Sequence, residues 1–113
     1  MTAHRTPDEL GIENEAICEK LLGWKRSSIV GYWFPSQEHA GTVRTPSFTT
    51  WADAGLILDA LNKRVLGVEV GNFGRYEAHW YCDIESLGPP VNKASTAPLA
   101  IRAAALEYIR RLP

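Results

Sequence analysis

The chain has 113 residues, 45% hydrophobic and 22% charged, with 12 basic residues against 13 acidic ones and a formal net charge of −1. These figures leave room for one globular domain and exclude wholesale disorder. So even a balance supplies no global field toward nucleic acid or an anionic membrane, so neither DNA, RNA nor a membrane is an expected partner, although local patches stay open.

In chain order, Thr6-Pro7-Asp8-Glu9 is the first helix-start signal. Thr6 suits the cap, Pro7 the first helical position, and Glu9 stands where a capping box needs it. Ala16, Ile17, Leu21 and Leu22 recur at helical spacing and Gly23 stops the run, with Gly11 weakening the first turn, so the solid helix starts near Ile12. Ile29 to Phe34 is β-branched and aromatic and reads as a strand ended by Pro35. Residues 35–50 read as a long loop, of the kind that is often mobile or functional.

Thr50-Trp51-Ala52-Asp53 repeats the capping pattern and predicts a second helix from Trp51 to Lys63. The period then falls to two. Leu66, Val68 and Val70 alternate with Gly67 and Glu69; Tyr76, Ala78, Trp80, Cys82 and Ile84 alternate with Glu77, His79, Tyr81 and Asp83. With Asn72-Phe73-Gly74 as the turn, this is an antiparallel hairpin with one buried and one wet face. Residues 85–97 read as a second loop. Thr96-Ala97-Pro98 opens a C-terminal helix with two apolar stripes, Leu99/Ala103/Leu106 and Ile101/Ala105/Tyr108/Leu112. That is wider than one sheet face requires, so the helix is either sandwiched or meets another subunit. The expected class is α+β, a single domain spanning residues 1–113.

Cys18 and Cys82 are too few for a disulfide scaffold and read as reduced thiols. Residues 1–9 are polar, unlike a signal peptide, and no stretch has the length of a membrane span, so the expected location is cytoplasmic.

Catalytic chemistry finds little footing. His79 and Cys82, three apart on a strand, point to opposite faces; His79 and Asp83 share a face but lie roughly 13 Å apart. Neither pair grips a metal, and no cofactor is expected. There is no nucleophile elbow. A carboxylate pair drawn from Glu69, Glu77 or Asp83 reads better as the wet face of a sheet. Gly71-Asn72-Phe73-Gly74 lacks the Lys-Ser/Thr ending of a phosphate loop.

The basic pairs Lys25-Arg26, Lys63-Arg64 and Arg110-Arg111 sit where predicted helices end and favourably oppose the helix dipole. Arg102 differs, because it lies in the first turns of an Ala- and Leu-rich helix, between the two stripes. It is either a surface charge with a buried stem or a fork for an anionic ligand, with Arg110 returning to the same side two turns later. Combined with hairpin side chains (Phe73, Arg75, Tyr81 and Asp83), these arginines outline a candidate nucleotide site of stacking and charge.

The order of segments resembles the phage ABA-sandwich domain family. The likeness rests on Ile17-Cys18-Glu19-Lys20-Leu21-Leu22-Gly23-Trp24, Pro46-Ser47-Phe48-Thr49-Thr50-Trp51, the hairpin, and Thr96-Ala97-Pro98-Leu99-Ala100-Ile101, and it spans about Ile12 to Ile109. The resemblance implies a small antiparallel β-sheet with helices packed on both sides, an α-β-α sandwich. It also implies the function of similar proteins that act as anti-defence sponges. Those hold a cyclic ADP-ribose isomer, a bacterial alarm signal, through aromatic and arginine side chains, without cleaving it, as oligomers. Carried onto this chain, Arg102 takes the arginine role and Phe73 the aromatic one. The chain departs from the family where Arg102-Ala103 stands in place of Cys-Arg, which turns the arginine by about 100° around the helix.

The expected function is therefore a non-enzymatic, phage-encoded, homo-oligomeric binder of a signalling nucleotide. The alternative is a small phage accessory protein that binds another protein through its C-terminal helix and has no small-molecule ligand. Enzymatic turnover of a nucleotide ranks below both.

Overall fold

Local chemistry sets the helix starts. In a computed structural model that describes residues 7–35, 41–64, 67–72, 80–87 and 92–112, helix α2 spans Trp51–Lys63 and helix α3 spans Ala97–Arg110. Each begins at a threonine in extended conformation whose hydroxyl accepts a backbone N–H. Asp53 donates to Thr50 at 3.2 Å, and Leu99 donates to Thr96 at 3.3 Å. Such a cap satisfies one of the N–H groups that the first turn leaves without a partner. Asp53 also accepts the backbone N–H of Phe48 at 3.1 Å, which pins a fully buried aromatic whose φ is +57°. That conformation is costly for a bulky residue, and the reciprocal bond helps hold it.

Helix α1 spans Pro7–Ala16 and runs straight on into a wide π-helical turn, Ile17–Leu21, which the periodicity did not announce. Leu22 donates to Ile17 at 3.0 Å, five residues back, and Trp24 donates to Cys18 at 2.9 Å across Gly23 at φ +72°. Gly23 therefore ends the helical run, as expected from its freedom at positive φ. The expected cap at Thr6 lies outside the described residues.

The next segment departs from expectation. Lys25 and Arg26 form strand β1 instead of finishing a helix, and the strand expected over residues 29–34 shrinks to β2, Tyr32–Phe34. Ile29 to Tyr32 is a turn closed by a 3.2 Å hydrogen bond, with Gly31 at φ +88° in the third position. Positive φ there is the mark of a type II turn. The long loop contains strand β3, Val43–Arg44, so β1, β2 and β3 make a small antiparallel sheet.

Strands β4 (Val68–Asn72), β5 (Trp80–Ile84) and β6 (Asn92–Ala94) form the second antiparallel sheet. Strand β6 and a 3-10 turn at Glu85–Leu87 lie in what reads from sequence as loop. The register sets Asn72 opposite Trp80 and Gly71 opposite Tyr81. A three-residue turn at Asn72-Phe73-Gly74 would have set Gly71 opposite Arg75. The observed pairing is displaced from that by six positions (81 − 75), and residues 73–79 lie outside the described residues. Because the displacement is even, the assignment of side chains to faces survives it. Val68, Val70, Cys82 and Ile84 face the core, and Glu69, Tyr81 and Asp83 take the other face.

Helix α3 is the hub. It packs on β5 and β6, crosses α2, and also meets α1 and the π-helical turn. This explains its two stripes: Ala100, Ile101, Ala104 and Ala105 are fully buried, while Leu99, Ala103 and Leu106 are partly covered. The small alanines let neighbouring backbones approach closely, and large side chains from Trp33, Phe48, Ile57, Leu61 and Ile84 fill the remaining space. The molecule is thus a single mixed α+β domain, with three helices and two small antiparallel sheets among the described residues. No helix among them is long and apolar enough to cross a membrane.

Candidate functional site

One stripe of α3 builds the site that the sequence singled out. Leu99, Arg102, Ala103, Leu106 and Arg110 recur at helical spacing and line one open depression of about 410 Å³, with Glu107 and, from α1, Glu13. Its lining joins the apolar side chains of Leu99, Ala103 and Leu106 to the charged ones of Glu13, Arg102, Glu107 and Arg110.

Arg102 is only 5% exposed. Its Nε and Nη2 donate to Asn14 Oδ1 at 3.1 and 2.9 Å, and Nη2 lies 3.4 Å from Glu13 Oε1. It is therefore not a surface charge with a buried stem. The head is buried as well, braced between α3 and α1, because a guanidinium taken out of water must find partners. Arg110 is the exposed member. Its Nη2 reaches both carboxylate oxygens of Glu107 at 2.7 Å and its Nε reaches one at 3.0 Å. Arg111 shares Glu107 at 2.8 Å and donates to the Leu87 carbonyl at 2.8 Å. These arginines hold the Glu107 carboxyl below its ordinary range, Arg110 more than Arg111. Two cations, Arg102 and Arg110, and two carboxylates, Glu13 and Glu107, balance in the lining.

The hairpin residues fall elsewhere. Tyr81 and Asp83 lie on the face of β5 that points away from the α3 core, since Cys82 and Ile84 between and beside them are buried. Tyr81 donates to Glu69 Oε1 at 3.0 Å, and this bond raises its pKa above the usual tyrosine value. Its ring covers Gly71, where an added Cβ would lie 2.7 Å from the Tyr81 hydroxyl. A strand glycine of this kind marks a close approach, here by a ring already occupied. Glu69 and Asp83 face each other across the strands and share a shallow depression with Glu85, where the field disfavours a phosphate. The structure thus brings Arg102 and Arg110 together and leaves Tyr81 and Asp83 on a separate surface. Phe73 and Arg75 lie outside the described residues, as do His4, His39, Glu77 and His79. No group of three or more His, Cys, Asp or Glu among the described residues is placed to hold a metal ion.

Both cysteines are buried. Burial, with a smaller push from Glu15 on Cys18 and from Asp83 on Cys82, moves each thiol up to about 12. A thiolate is the reactive form, so neither is a nucleophile near neutral pH. The native protein should resist iodoacetamide at about pH 8, and both thiols should react once denaturant is added. Alkylation of either one in folded protein would contradict the burial.

Sequence reasoning read Arg64 only as a charge at a helix end. It donates to the Lys20 and Leu21 carbonyls at 3.1 and 3.2 Å and sits 5.7 Å from the Tyr108 ring centroid. It thereby ties the end of α2 to the π-helical turn and to α3. Its place just past a helix end was visible, but its partners more than forty residues away were not. Comparison with family models, curated proteins and solved structures finds no match to this chain.

Proposed function

We propose that the protein is a non-enzymatic binder of a signalling nucleotide, with the phage ABA-sandwich sponges it resembles as the guide to ligand class: a cyclic ADP-ribose isomer, captured in the host cytoplasm. The observation that supports this reading is the α3 depression. Its volume suits a small ligand, apolar and charged side chains both line it, and its two arginines lie eight residues apart, a backbone rise of about 12 Å along the helix. In this reading Arg110 exchanges Glu107 for the pyrophosphate, while Arg102 stays braced and contributes positive potential. Among the described residues no aromatic ring lines the depression; in this reading a second copy supplies the adenine-stacking ring, and a homo-oligomer is the working form.

A second reading has its own observation in favour. The lining sets Glu13 and Glu107 against Arg102 and Arg110 beside apolar side chains, a charge-balanced surface that suits a protein partner. Here the working surface is the C-terminal helix itself, as in a small accessory protein.

Titration calorimetry against ADP-ribose and its cyclic isomers separates the two. The sponge reading expects tight binding, recovery of the ligand intact after denaturation, and an affinity loss of at least about tenfold in Arg110→Ala, one charge-assisted contact being worth roughly 1.5–3 kcal/mol. Arg110 is the residue to change because its side chain is 74% exposed and its removal leaves the fold alone. No heat with any of these ligands, from folded protein, overturns the nucleotide reading and leaves the protein partner.

A further inference from the structure

The outer face of the β1-β2-β3 sheet sets aromatic rings beside cations. Trp33 is buried beneath this sheet at 1% exposure, so by alternation Tyr32 and Phe34 point the other way. Their cross-strand partners are cations: Arg44 stands opposite Tyr32, and Lys25 opposite Phe34. The Arg44 guanidinium carbon is 5.9 Å from the Tyr32 ring centroid, with Nη2 3.4 Å from the hydroxyl. Phe34 is 42% exposed, and Ile29 and Val30 in the adjoining turn are 64% and 89% exposed. Residues 24–35 and 41–47 hold Lys25, Arg26 and Arg44 and no carboxylate; the segment 36–40 between them carries one, Glu38, and lies outside the described residues. Arg26 serves the inner side, 4.7 Å over the Trp33 ring and paired with Glu15 and Glu19.

We infer that this face binds single-stranded nucleic acid. Two rings on alternate residues of one strand sit about 7 Å apart and offer platforms for unstacked bases. Lys25 and Arg44 flank them and meet the phosphates. A duplex hides its base faces, so the rings select single strands. The net charge of −1 does not by itself oppose this, because Lys25 and Arg44 outnumber Glu38, the one carboxylate of residues 24–47, and the local field is the one a strand feels within a Debye length. The surface shares no residue with the α3 depression, so the two proposals stand or fall separately.

Fluorescence anisotropy with short labelled oligothymidylate and oligoadenylate tests it. For two neutralised phosphates the slope of log affinity against log salt should be about −1.4, or about sevenfold weaker binding from about 50 mM to about 200 mM salt. The pair Tyr32→Ala/Phe34→Ala should lose at least about tenfold in affinity with the slope kept. The pair Lys25→Glu/Arg44→Glu should lose binding and flatten the slope. If the aromatic pair fails to fold, Phe34→Ala alone carries the same expectation, because its side chain stands outside the core. The inference is overturned if folded protein gives no anisotropy change, or if a duplex of the same length binds equally and the aromatic variants are neutral. It is also overturned if light scattering shows a dimer that Phe34→Ala dissociates, since the face would then belong to a second copy.

Discussion

Replacing Arg102 by alanine is expected to cost about 3 kcal/mol of stability, a drop in melting temperature on the order of 10 °C for a domain of this size. The guanidinium is buried and gives two hydrogen bonds to Asn14 and one contact to Glu13, from α3 across to α1. Its removal takes both donors from the Asn14 oxygen, removes the Glu13 contact and opens a void. The Glu13 side chain is 22% exposed, so water replaces part of the loss and the cost falls toward the lower end for a broken buried pair. A cycle with Asn14→Ala should show coupling of about 1 kcal/mol or more, because the two residues share one interaction. Denaturant titration checks both values, and an unchanged midpoint for Arg102→Ala would remove the brace from this account. The result also bears on the nucleotide reading. Loss of ligand capture in this variant reports on the fold as much as on the site, and the weight of that test therefore falls on Arg110.

Trp33→Ala should be at least as damaging, at about 4 kcal/mol. The ring is 1% exposed and belongs to the same core as Ile57, Ile84 and Ile101, although it comes from the smaller sheet. Its Nε1 donates to Thr45 Oγ1 at 2.7 Å, and Arg26 stacks on it while bound to Glu19 at 2.8 Å and Glu15 at 3.2 Å. One side chain thus couples β1, β2, the segment after β3, and α1 with its π-helical turn. Trp33→Phe keeps most of the apolar area and loses the indole donor, so about 1–2 kcal/mol is expected. A Trp33→Ala loss under about 1 kcal/mol would mean that the small sheet is an appendage and not part of the core.

Legibility in the sequence tracks the range of the forces involved. The ends of α2 and α3 were readable because Thr50 and Thr96 act on N–H groups three residues away. The faces of β4 and β5 were readable because alternation belongs to the strand itself, and an error in register by an even number leaves it intact. Strands β1, β3 and β6 were not, since two or three residues carry no period and become strands only through partners found elsewhere in the chain. Lys25 and Arg26 show the cost: read as the end of a helix, they are half of a cross-strand pairing with Phe34 and Trp33.

The candidate site divides the same way. That Arg110 returns to roughly the side of Arg102 two turns later follows from spacing alone, and both side chains line one depression. That Arg102 spends its donors on Asn14, 88 residues away, was decided by how α1 lies on α3. That Tyr81 closes over Gly71 was decided by the register of two strands. Helix periods, caps and face alternation are set between near neighbours along the chain, and so the sequence by itself determined the α+β class, two helices nearly to the residue, and the inward faces. The partners of each buried polar group depend on which distant segments pack together, and only the tertiary structure decided those.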